Sequence, residues 1–287
     1  MPDSQWAERA RDFMQINARL LERQLYRFLF EGGSRDEALA ALAAYQNPDG
    51  GFGHGLESDL RTPFSQPLAV EKAFEMLTLL GAMDHPMVLK ACDFLEGIST
   101  PEGGVPFVLP TSRGYPHTPW MEGSDHPAAD LNPTASLAGM LLAGGVNHPW
   151  RKRASAFCRA KIPTTQSNQF HDVMPVVSFL QHCGDPTWAQ PQLERLLNRV
   201  RQPGAVEMDP DAGGYVKKPL DWAPEPGAFF RPIFSAETIA LHLHALAARQ
   251  QPDGGWPINW PALGPGAELE WRGWVTLQAV RALEAYK

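Results

Sequence analysis

The stretch Gly53-His54-Gly55-Leu56-Glu57-Ser58-Asp59-Leu60-Arg61-Thr62-Pro63 brings an imidazole, two carboxylates and a guanidinium into eight residues between glycine and proline. These are proton-transfer groups. A carboxyl of Glu57 or Asp59 that faces a dry cavity can serve as a general acid, with Arg61 lowering its neighbour's pKa. The same residues also have a structural use, in which Glu57 pairs with Arg61 and Asp59 caps a turn. His54, Glu57 and Asp59 together mix nitrogen and oxygen donors. No cofactor is expected, although a divalent metal at these three residues stays open.

Further chemistry-bearing residues stand before other helical segments. His126, Asp130 and Asn132 precede Pro133, where Asn132 reads as an N-cap and Asp130 is freer to act as an acid. Gln169-Phe170-His171-Asp172 offers a neighbouring His-Asp pair for proton transfer, or a cap at Asp172. Glu268-Leu269-Glu270-Trp271-Arg272-Gly273-Trp274 mixes acid, base and aromatic. Its tryptophans are packing anchors, or π faces toward a cationic or planar ligand. The catalytic candidates are thus Asp59, Glu57, Asp130, Arg61 and His171. His54, Asn132, Asp172, Phe170, Trp120, Phe229, Glu270, Arg272 and Trp274 are the substrate-binding candidates, with Trp222 and Phe230 as further roofing aromatics. No Ser-His-Asp context, phosphate loop or nucleotide fingerprint occurs.

Helices must position these groups, because apolar residues recur at spacings of three and four and seldom alternate. Ser4 to Phe30 reads as one long amphipathic helix with Phe13, Ile16, Leu20 and Phe28 inward, and Asp36 to Tyr45 as the next. Three hairpins follow. Their turns, Leu80 to Pro86, Ala143 to Pro149 and His182 to Pro186, each end one helix at glycine and begin another at proline. In each, the first helix is mostly apolar (Leu68 to Leu80, Thr134 to Leu142, Val173 to Leu180). The second is charged on one face (Met87 to Phe94, Trp150 to Ala160, Gln190 to Arg201). A loop from Gly213 to Ser235 and a last helix from Gly273 to Tyr286 complete the pattern. Alternating inner and outer helices imply an all-α, single-domain α/α toroid, residues 1–287, with a central cavity.

One phrase recurs about two hundred residues apart. Gln46-Asn47-Pro48-Asp49-Gly50-Gly51-Phe52 returns as Gln250-Gln251-Pro252-Asp253-Gly254-Gly255-Trp256, each after an alanine- and leucine-rich helix. Pro-Asp-Gly is turn chemistry, so the phrase reads as a staple at a helix exit. Thr100 to Val105 and Asp209 to Tyr215 are looser relatives.

Glutamine, three residues, glycine, one residue and an aromatic resembles the repeat of the terpenoid cyclase and protein prenyltransferase superfamily, as in squalene-hopene cyclases. Gln46, Gly50 and Phe52, and Gln250, Gly254 and Trp256, carry that resemblance, which implies the same toroid. Those cyclases start their reaction from an Asp-x-Asp-Asp-Thr-Ala motif. Here Asp130-Leu131-Asn132-Pro133-Thr134-Ala135 keeps the first acid, the threonine and the alanine, with Asn132 and Pro133 in place of two acids. Asp-Asp pairs and the Asp-x-Cys of the zinc-dependent branch are absent. The resemblance therefore marks a divergent member that lacks the usual catalytic motifs.

Composition narrows the remaining classes. A net charge of −7 without a basic stripe argues against nucleic acid and anionic membrane partners. Cys92, Cys158 and Cys183 lack metal-ligand spacing and read as reduced thiols of a cytoplasmic protein. The N-terminal charges do not fit a signal peptide, and no apolar run reaches a bilayer span. The resemblance implies an enzyme acting on an apolar isoprenoid-like or polycyclic small molecule, with proton transfer from Glu57, Asp59 or Asp130. A carbohydrate hydrolase or lyase with paired carboxylates and a non-catalytic binding toroid are the alternatives. The sequence leaves oligomeric state open.

Overall fold

The computed structural model describes residues 5–287, so Ser4, the expected start of the first helix, lies outside the described residues. Among the described residues the chain is helical with no strand, and its short extended pairings are isolated bridges. It divides into two units, residues 38–196 and residues 1–37 with 197–287.

The first of these holds the three hairpins. They are α4 (Pro67–Leu79) with α5 (Pro86–Ile98), α6 (Leu131–Ala143) with α7 (Pro149–Lys161), and α8 (Phe170–His182) with α9 (Pro186–Val200), preceded by α3 (Arg35–Ala43). The turn signals act as the sequence implies. Gly81, Gly145 and Gly184 take φ of 59°, 66° and 72°, and Pro86, Pro149 and Pro186 open the following helices. His85 and His148 cap α5 and α7 through side chains that accept from Met87 N and Trp150 N. Within this unit α4, α6 and α8 pack side by side, and α5 packs on α7 behind them. The approach of α6 to α8 needs Gly139, where a Cβ would lie 2.5 Å from Ser178 Oγ.

The other unit contains α1 (Gln5–Asn17), α2 (Leu20–Phe30), α10 (Pro219–Trp222), α11 (Ala236–Ala248) and α12 (Pro265–Ala285). The expected single N-terminal helix is therefore two. The break comes at Arg19, whose backbone extends to ψ 155° while its guanidinium engages Glu22 at 2.5 Å and Glu270 at 3.5 Å. No glycine or proline marks this break. As a result Ile16 and Leu20, expected inside, are 79% and 53% exposed, whereas Phe13 is buried. The last helix also starts earlier than expected, at Pro265, and so carries Glu270, Trp271 and Arg272 itself.

The recurring phrase does the same work in each unit. Gln46 donates Nε2–H to Gly50 O at 2.9 Å and Met87 O at 3.0 Å, while Gln250 donates to Gly254 O and Trp6 O, both at 2.8 Å. Each glutamine thereby ties its own turn to the first residues of a neighbouring helix. Asp49 and Asp253 accept from Gly51 N and Gly255 N and hold the turn shut. Gly50 and Gly254 touch that helix so closely that a Cβ would lie 2.2 Å from Lys90 O and 2.0 Å from Arg9 O. The Thr100–Val105 relative repeats this contact with Gly103 against Arg153 O, at 2.7 Å. The Asp209–Tyr215 relative does not, since Gly213 and Gly214 have nothing within 4 Å, and Lys218 holds that loop through Pro210 O and Ala212 O.

Candidate acid site on the first hairpin

After the first phrase the chain turns through residues 53–66 and enters α4. Gly53 N bonds Tyr45 O, just before the phrase, and Gln66 N bonds Phe52 O, at its end, so both ends of the loop are fixed. A second loop covers it: Arg61 N donates to Pro116 O at 2.9 Å and Thr118 N to Asp59 O at 3.1 Å. Between these supports Glu57, Ser58 and Asp59 are buried.

Glu57 is 8% exposed. Its Oε1 accepts from Asp59 N at 3.3 Å. Burial pushes its carboxyl up to about 7, against the pull of Lys72 and the Asp59 N–H, and the carboxylates of Asp59 and Glu75 add to the rise. The cation that acts on Glu57 is thus Lys72 of α4. The Arg61 guanidinium instead lies against Gly55, where a Cβ would be 3.2 Å from Cζ.

Lys72 belongs to a group that sequence reasoning overlooked. Glu71, Lys72 and Glu75 sit on α4, which is otherwise apolar but for Thr78, and Lys72 Nζ is 3.0 Å from Glu75 Oε2. Burial works against the Lys72 charge, but Glu75, Glu57 and Glu71 outweigh it and hold the ammonium above its ordinary range. Ser136 of α6 donates its hydroxyl to Glu71. Burial, then the Glu75 carboxylate, keeps Glu71 well above the usual carboxylate range. The available signal was three charges at positions 71, 72 and 75 of a helix otherwise mostly apolar.

The remaining candidates are distributed as follows. His54 is exposed, takes φ 56° and bonds Asn47 Oδ1 at 2.8 Å. Asp130 is exposed at the start of α6, and Asn132 keeps φ −98° and ψ 114° before Pro133, so the regular helix begins after it. At α8 the cap position is Gln169, and Asp172 lies inside the first turn, accepting from Ser167 Oγ at 2.6 Å. His171 is exposed and packs edge-on to the half-buried Phe170 at 5.2 Å. Trp120 is 56% exposed. The other unit holds the rest. Phe229 meets Phe230 at 4.9 Å, and Trp274 is half-buried on α12. Glu270 faces Arg19, while Arg272 clamps the second phrase through Asp253 Oδ1 at 2.7 Å and Trp256 O at 3.3 Å.

Among the described residues no three His, Cys, Asp or Glu side chains converge as a metal site. An open cleft of about 470 Å³ borders Gln46, Asn47, Asp49, Lys90 and Asp93, but none of the buried acids lines it. Burial and charge coupling therefore mark the site better than that concavity does.

His54 offers a direct check on function against strain. A left-handed non-glycine residue costs about 1 kcal/mol, comparable to one exposed hydrogen bond. His54→Gly should leave stability within about 1 kcal/mol of the parent in urea titration. A large loss of ligand binding in that variant would then belong to the imidazole itself.

No family model and no curated protein matches the chain. Solved structures do. A protein from Actinoplanes is similar at 15% identity with a TM-score of 0.59, over 98% of both chains. A variant of MstE, a type II terpene cyclase from Scytonema, in complex with its substrate geranylgeranyl dihydroxybenzoate, is similar at 13% identity with a TM-score of 0.52, over 98% of this chain and 97% of the other. A second MstE variant, with its product merosterolic acid A, is similar at 16% and 0.50, over 99% and 90%. The likeness defines the fold: the chain is an all-α protein of the α/α-toroid class, terpenoid-cyclase-like. Among the described residues no helix is long and apolar enough to cross a membrane.

Proposed function

We propose that this chain is an enzyme that acts on an apolar isoprenoid-like or polycyclic small molecule, and that it starts the reaction by proton transfer from a buried carboxylic acid. One observation carries the reading: Glu57 holds a carboxyl that burial keeps at about 7, so a substantial fraction is a neutral acid at neutral pH. An ordinary glutamate would be ionised there and unable to donate. A low-dielectric site also shields a cationic intermediate from water. MstE, similar in fold, is a terpene cyclase with an isoprenoid substrate, which favours that ligand class.

Incubating the protein in D₂O with polyprenylated phenols, polyprenyl alcohols and squalene tests this. The expected product is a cyclised isomer carrying one deuterium, seen by mass spectrometry. Replacing the buried carboxyl that donates the proton by its amide should reduce product formation by roughly 10²-fold or more, the usual contribution of a general acid. Cleavage of oligosaccharides with no polyprenyl turnover would replace this reading with the carbohydrate one, and specific ligand retention without turnover of either class would replace it with the binding one.

A further inference from the structure

Glu71 and Glu75 stand one turn apart on α4 and share a face, with Lys72 beside them. Ser136 meets Glu71 from α6, a separate helix 65 residues further along the chain. Its hydroxyl also lies 3.3 Å from Pro133 O, so the serine is held at the first turn of α6. Glu57 comes from the loop before α4, and its Oε1 accepts from Asp59 N at 3.3 Å. The Glu75 side chain keeps 42% exposure, so the group opens onto reachable space and is not sealed in packed core. Three ionised carboxylates and one ammonium would leave two net negative charges in this half-dry setting, an arrangement that favours retaining a proton.

Resting on the function proposed above, we propose that Glu71 is the catalytic acid that protonates an alkene-bearing apolar substrate, and that Ser136 is its positioning residue. Glu71 is the better placed of the two acids. It stands on a helix, and its carboxyl is held from a second helix, whereas Glu57 belongs to a loop. In the step, the Glu71 O–H bond breaks and the alkene π pair forms the new C–H bond, leaving the adjacent carbon cationic. The O–H electron pair stays on the carboxylate, which the Ser136 hydroxyl and the Lys72 ammonium stabilise. Loss of one proton from the final carbocation to water balances the reaction, which is an isomerisation without oxidant or co-reactant. Solvent returns a proton to Glu71, with Glu57 and Glu75 beside it as exchange partners.

The test compares the parent protein with Glu71→Gln, Glu71→Asp and Ser136→Ala, using turnover in D₂O and calorimetric binding of a polyprenyl tertiary amine and the matching neutral alcohol. Glu71→Gln should lower turnover by roughly 10³-fold, with Glu71→Asp restoring part of it. The same variant should weaken the amine about 10-fold, since its cation loses the carboxylate partner, and change alcohol binding less than about 2-fold. Ser136→Ala should slow turnover about 10-fold and move the alkaline limb of the kcat profile upward, because the lost hydroxyl had favoured the carboxylate. Turnover or amine binding by Glu71→Gln equal to the parent overturns the assignment and leaves the proposed function standing. A parent protein that turns over no polyprenyl substrate, yet prefers the amine only while Glu71 is present, keeps the acid and overturns the substrate class instead.

Discussion

Gly254→Ala will lower the unfolding free energy by about 2–5 kcal/mol, and Gly50→Ala by a similar amount. Two independent costs add. Gly254 takes φ 92° and Gly50 takes 87°, conformations that cost an L-residue about 1–2 kcal/mol. A Cβ would also press within 2.0 Å of Arg9 O or 2.2 Å of Lys90 O, and overpacking of this kind costs about 1–3 kcal/mol. The opposing atoms are backbone carbonyls of a helix and cannot swing aside. Gly81→Ala supplies the control, because Gly81 has φ 59° but nothing within 4 Å, and it should lose only about 1–2 kcal/mol. Urea denaturation of the three variants separates the contributions. Equal losses at Gly254 and Gly81 would mean that the phrase does not grip its neighbouring helix.

Glu57→Gln will stabilise the protein in alkaline buffer, by up to about 3 kcal/mol near pH 8, while leaving stability near pH 4 almost unchanged. The sign follows from proton uptake. Glu57 has its ordinary value of 4.5 when unfolded and about 7 when folded, so between these the folded state binds more protons. The stability tied to its neutral form is complete below 4.5 and is lost as pH rises through 7. Glutamine keeps the acceptor for Asp59 N and has no charge to bury. Glu71, raised for the same cause, slopes in the same direction, so the variant should retain a weaker pH dependence of its own. Unfolding free energies in urea at pH 4, 6 and 8 decide the matter. A variant less stable than the parent at pH 8 would show that the ionised Glu57 is welcome in the fold and could not serve as a neutral acid.

These two effects describe different kinds of residue. Gly254 is there for architecture, and every consequence of replacing it is structural. Glu57 sits where a side chain without charge would be the more stable one above neutral pH, because burial holds its carboxyl at about 7.

Much of the architecture was legible because its causes are local. Glycine at positive φ, proline at the first helical position and a capping histidine act within a few residues, so the hairpin turns at Gly81, Gly145 and Gly184 could be placed from spacing alone. The phrase was equally legible, since Pro-Asp-Gly closes a turn whatever surrounds it. The N-terminal break at Arg19 was not, as no glycine or proline causes it and the ion pair with Glu270 forms only after folding. Nor was the early start of α12, which Pro265 opens eight residues before the expected Gly273.

The candidate site divides along the same line. Glu57 and Asp59 stood out by residue type and by their place directly after the phrase, and burial of both is what tertiary structure added. Residue type could not say which carboxyl keeps a proton, because that depends on desolvation by distant segments. Glu71 and Lys72 were overlooked within a mostly apolar helix, because only folding brings Ser136 of α6 and Glu57 of the loop to them. By itself, then, the sequence determined the helical hairpins, the staples between them and the loop that bears an acid. Tertiary structure alone decided which carboxyls share one ammonium and one serine, because helix signals act over neighbouring residues while electrostatic coupling acts through space.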